Sequence, residues 1–70
     1  MRAVLAAALL RLPLAMRQAV VLRHVLGCDT AQTASILDRP EGTVKAQVSR
    51  GLAALRRELQ LVGITPEDRP

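Results

Sequence analysis

The richest chemistry in this sequence lies in Leu37-Asp38-Arg39-Pro40-Glu41-Gly42-Thr43-Val44-Lys45-Ala46-Gln47-Val48-Ser49-Arg50. Its useful side chains are cations and neutral hydrogen-bonding groups. Lys45 and Arg50 are charged, Gln47 offers an amide, and Thr43 and Ser49 offer hydroxyls. On a helix these polar groups fall away from Val44, Val48, Gly51 and Leu52, which share the other side. Such a helix can rest on a protein base with one face and enter a DNA groove with the other. Arg and Lys suit guanine and Gln suits adenine, while hydroxyls and helix-start amides suit phosphate. The candidate DNA contacts are therefore Arg39, Thr43, Lys45, Gln47, Ser49 and Arg50, with Arg39 and Thr43 set against phosphates.

Chemistry of other kinds is sparse. His24 has no Cys, Asp or second His at metal-ligand spacing, so it reads as a surface or interface residue. Cys28 is the only cysteine, which rules out an intrachain disulfide. The sequence contains no nucleophile–base pair, metal cluster or glycine loop built to cradle phosphate. We therefore expect no enzyme activity, no catalytic residue, no metal, no cofactor and no small-molecule substrate.

The elements that must position the polar helix are also legible. The 70 residues are half apolar and contain no Phe, Tyr or Trp. A chain of this length buries only about 60% of the surface its unfolded form exposes. Its core has to come from Leu, Val, Ala, Ile and Met, which suits closely packed helices. No segment alternates long enough for a strand, so an all-α fold is expected. The net charge is +4, and nine of the ten cations are Arg, a residue suited to bidentate contacts. No apolar run reaches the roughly 18 residues of a membrane span. The apolar start is followed by Arg11 and Pro13, not by a small-residue cleavage site, and reads as a helix.

That first helix runs from Arg2 to about Arg11, with Leu5, Leu9 and Leu12 facing inward. Leu12-Pro13 breaks it. The second helix runs from Pro13 to about Leu26 and ends at Gly27. Met16, Val20, Ala19, Leu22, Val25 and Leu26 form its apolar face, with Arg17 and Arg23 turned toward solvent or a partner. Asp29 or Thr30 caps a third helix ending near Leu37, with Thr33, Ala34 and Leu37 inward and Ile36 beside them. Asp38 tolerates the left-handed conformation that the turn needs. The fourth helix runs from Glu41 to about Leu61 along a stripe of Val44, Val48, Gly51, Leu52, Leu55, Leu59 and Val62. Arg56 and Arg57 suit a solvated helix end or a protein interface. One domain over residues 1–63 is expected, with 64–70 as a disordered tail.

Two short helices joined by a brief turn describe a helix-turn-helix. Here the residues also carry a family resemblance. Leu12-Pro13, Arg17, Val20, Leu22, Arg23 and Gly27 resemble the opening of region 4 of bacterial RNA polymerase sigma factors. Ala34, Ile36 and Leu37 continue the likeness. Its specific part is Pro40-x-Gly42-Thr43-Val44-Lys45 followed by Val48-Ser49-Arg50-Gly51-Leu52-Ala53-Ala54-Leu55-Arg56. The resemblance is strongest to the extracytoplasmic-function (ECF) group and covers about Leu9 to Leu59.

The resemblance implies an all-α four-helix domain with a helix-turn-helix, of the winged-helix-like or sigma region 4 type. It implies binding to the −35 promoter element and docking on the β flap of RNA polymerase in the cytoplasm. It also implies control by an anti-sigma factor, and an upstream domain reading the −10 element, of which this chain would be the C-terminal companion. Cys28 stands where the family has an aliphatic residue, so a small buried hydrophobe is expected. Glu41 replaces an aliphatic residue and Thr33 an Ile. Ala46 and Gln47 depart from the family's Ser and Arg, which bears on base preference because Gln prefers adenine where Arg prefers guanine. Two other readings compete: a LuxR-type response-regulator effector domain, and a module acting chiefly by being clasped by an anti-sigma factor. The Pro40-x-Gly42 pair and the Arg50-to-Leu55 continuation favour sigma.

Overall fold

Proline, glycine and a left-handed aspartate divide the chain into its helices. In the computed structural model, which describes residues 2–61 and 63, α1 spans Arg2–Leu10, α2 Leu14–Val20, α3 Thr30–Leu37 and α4 Glu41–Leu61. Val21–Val25 continues α2 as a π-helical turn. There is no strand among the described residues, so they form a helix-turn-helix without a β wing. Val62 of the expected stripe and the expected tail at 64–70 lie outside the described residues.

The breaks have local causes. Pro13 stands just outside α2 as its N-cap, with φ −52° and ψ 144°, and its carbonyl accepts the first helical bond from Arg17 N at 3.0 Å. Gly27 closes the π-helical turn at φ 79°, a conformation open to glycine. Asp29 opens α3 with a capping box: its carboxylate accepts from Gln32 N at 2.7 Å, and Gln32 Oε1 accepts from Asp29 N at 2.9 Å. Asp29→Ala removes the side-chain half of that box and should cost about 0.5–2 kcal/mol, measurable by urea unfolding. An unchanged midpoint would show that the cap is idle. Asp38 takes φ 54° at the C-cap of α3, as expected of its short polar side chain.

The core lies where α4 crosses α2 and α3. Ala8, Leu12, Ala19, Val20, Thr33, Ala34 and Val44 are buried, with Thr33 Oγ1 donating to Asp29 O at 2.8 Å. Gly51 explains the closeness of the crossing. A Cβ there would stand 2.6 Å from Val20 Cγ2 and 3.4 Å from Met16 Cβ, and Val20 is too well buried to turn away. Gly51→Val should therefore destabilise by about 1–3 kcal/mol through overpacking, despite the helix propensity regained. A thermal melt at or above the parent's would show that the helices can part at no cost.

Several inward assignments need correction. Leu5, Val25, Leu26 and Ile36 are exposed, Ile36 at 60% and Leu26 at 66%. The π-helical turn holds one residue more than an α turn, which rotates Leu26 off the line of the buried Ala19, seven residues before it. Val25, nine residues from Met16, falls on the opposite side of the helix even at regular α winding. Ile36 lies on the outer side of α3, about half a turn from the buried Ala34. Leu55 and Cys28 are half-buried. Arg17 and Arg23 do not project freely. Arg17 is half-buried, reaches Leu12 O at 3.5 Å, and has a buried Nε with no hydrogen-bond partner among the described residues. Arg23 Nη1 donates to Cys28 O at 2.7 Å and ties the loop after Gly27 back to the π-helical turn.

Candidate nucleic-acid interface

The first half of α4 is held from beneath and open above. Val44 is completely buried and Gly51 is buried two turns later. Around them Glu41, Gly42, Thr43, Lys45, Ala46, Ser49 and Arg50 are all exposed. Lys45 and Ser49 are four residues apart and share one row, while Thr43, Gln47 and Arg50 share another. Neither Lys45 nor Arg50 forms a salt bridge with a described residue, so both charges stay available to a partner. The space above Gly42 is open to 4 Å, and the first-turn amides of α4 lie at the positive end of its dipole. That combination accommodates a phosphate oxygen.

Two of the six candidate residues are brought into direct contact. Arg39 Nη1 donates to Gln47 Oε1 at 3.0 Å and to Ala15 O at 3.3 Å, and its Nη2 donates to Gln18 Oε1 at 2.6 Å. Arg39 is half-buried and ties the turn to both α2 and α4. Its residue type and place in the turn suggest a phosphate contact, yet these partners occupy three of its N–H donors and leave others available. Sequence reasoning missed Gln18 altogether. Gln18 and Gln47 are separated by most of two helices, and only the packed fold places both within reach of one guanidinium.

Elsewhere Arg11, just past the end of α1, brings its Nη1 to 3.6 Å from Glu58 Oε2 on the far half of α4. Arg11 is largely exposed, so this pair adds little stability. Among the described residues, no three His, Cys, Asp or Glu side chains are grouped to hold a metal. No helix among them is long and apolar enough to cross a membrane.

Among the described residues, four α-helices, a tight α3–α4 turn and a cationic outer face on α4 define a helix-turn-helix domain of the DNA-binding class. The sigma-70 region 4 family matches the chain over residues 2–55, and the chain belongs to that family. A sigma-70 region 4 domain binds DNA in promoter recognition as part of the RNA polymerase machinery. A search of curated proteins finds no match.

Proposed function

We propose that this chain is the −35-reading domain of an ECF-type sigma factor. The observation that carries this reading is the cationic face of α4, with Thr43, Lys45, Ser49 and Arg50 exposed over a fully buried Val44. The specific run Pro40-x-Gly42-Thr43-Val44-Lys45 lies at the head of that face. In this reading Lys45, Gln47, Ser49 and Arg50 address base edges or flanking phosphates in the major groove. Thr43 and the first amides of α4 fix the register on a phosphate, and the spare donors of Arg39 add to it. The mechanism is binding without covalent chemistry.

The partners follow from the same reading. The domain docks on the β flap of RNA polymerase in the cytoplasm and positions α4 over the −35 element. An anti-sigma factor regulates it by covering these surfaces. Exposed Leu10, Leu14, Val25, Leu26 and Ile36 supply apolar contact area for such proteins, at 59–67% exposure each. A salt-dependent titration of labelled promoter duplexes, run beside a pull-down on immobilised β flap, tests the proposal. Affinity should fall steeply with salt and vary with the −35 sequence. Equal binding to all duplexes, or no retention on the flap, would refute the corresponding half.

A further inference from the structure

We infer that Arg39 sets the base preference of Gln47 by holding its amide oxygen. The groove then meets Gln47 as a donor suited to guanine or thymine, not as the two-sided partner of adenine. This rests on α4 being the groove helix, as proposed above.

The guanidinium of Arg39 carries donors only. Facing it at 3.0 Å, the amide of Gln47 must present Oε1, because its NH2 end would set donor against donor. The orientation of this amide is thus fixed by chemistry. Arg39 is itself held. Ala15 O and Gln18 Oε1, both on α2, accept from the same guanidinium at 3.3 and 2.6 Å. It cannot follow Gln47 outward without giving up its bonds to a second helix. Gln47 is half-buried on the flank of α4, in the row of exposed Thr43 and Arg50. Its amide nitrogen makes no hydrogen bond to a described residue. The end of Gln47 left for a partner is therefore the NH2.

Adenine recognition by glutamine needs oxygen and nitrogen side by side, the oxygen accepting from N6 and the nitrogen donating to N7. In this chain the oxygen is turned back toward the protein body. Guanine offers acceptors at both N7 and O6, and thymine offers O4, so an NH2 alone suits either edge; at adenine it can reach N7 but leaves the neighbouring N6 amino group without its acceptor. The expectation drawn from Gln47 by residue type, a preference for adenine, is thereby reversed.

Selection from randomised duplexes by the 70-residue chain, read by sequencing, tests the inference. The base pair read by Gln47 is the one whose preference disappears in Gln47→Ala. The parent should favour guanine or thymine there. Arg39→Met, which removes the donors and keeps much of the stem, should move the preference toward adenine by about tenfold, with other positions unchanged. Gln18→Met loosens Arg39 without touching α4 and should move it the same way by less; it decides the matter if Arg39→Met fails to fold by circular dichroism. The inference is overturned if the parent prefers adenine, if Gln47→Ala alters no position, or if both clamp variants weaken all sequences equally. Failure of the underlying reading looks different: the parent then selects no sequence at all.

Discussion

Lys45→Ala combined with Arg50→Ala should abolish specific DNA binding and leave the helical circular dichroism spectrum unchanged. Both side chains are exposed on α4, and neither is bound to a described acid. The buried residues of the same helix, Val44 and Gly51, are untouched. If each cation makes one good base contact, the pair contributes about 2–6 kcal/mol of discrimination, or roughly thirtyfold and upward in affinity for the preferred site. If they grip phosphates instead, affinity should fall on all sequences alike, and the salt slope should drop by about 0.9 for each phosphate no longer neutralised. The two outcomes are separated by titrating a preferred and a scrambled duplex at several salt concentrations. Parent-like affinity on both would remove α4 from the interface.

Leu12→Ala should remove a large share of the domain's stability. Leu12 is 3% exposed, in the link between α1 and α2. Truncating a buried leucine costs about 2–5 kcal/mol. A domain of 70 residues has roughly 3.5–10 kcal/mol in total at about 0.05–0.15 kcal/mol per residue. The melting temperature should fall by about 10 °C or more, since each kcal/mol moves a domain of this size by about 4–8 °C. Leu10→Ala is the contrast. Leu10 is 67% exposed, and its truncation should stay within about 0.5 kcal/mol of the parent. Equal melts for the two variants would show that the α1–α2 corner is not packed as described.

Helix starts and stops are legible in the sequence because each depends on the backbone chemistry of one or two residues. Pro13, Gly27 and Asp38 act locally, and the helix limits fall within a residue or two of those expected from them. The stripe of α4 is legible because a long helix repeats its pattern often enough to average out exceptions; Val44 and Gly51 within it are buried as expected, and Val48, Leu52, Leu55 and Leu59 are half-buried. The π-helical turn at Val21–Val25 is not legible. Nothing in Val-Leu-Arg-His-Val marks a change of winding, and the misplacing of Leu26 follows from it. The polar face of α4 can be read one residue at a time, since exposure there follows from the period. The Arg39–Gln18–Gln47 cluster cannot, because it depends on how closely α2 and α4 approach, and Gly51 against Val20 controls that approach.

The length of α4 has a mechanical consequence. At about 1.5 Å per residue its 21 residues make a rod of about 31 Å. One end carries Thr43, Lys45 and Arg50, and the other meets α1 beside the Arg11–Glu58 pair. The middle of the rod crosses α2 at Gly51, so close that a Cβ there would stand 2.6 Å from Val20 Cγ2. A tilt of about 10° about that crossing would swing the Thr43–Lys45–Arg50 end by roughly 3 Å, taking half the rod at 1.5 Å per residue. That sweep exceeds the tolerance of a hydrogen bond. If the proposed reading of α4 holds, a protein that levers its distal end away from α1 shifts the Thr43–Lys45–Arg50 end without ever touching it.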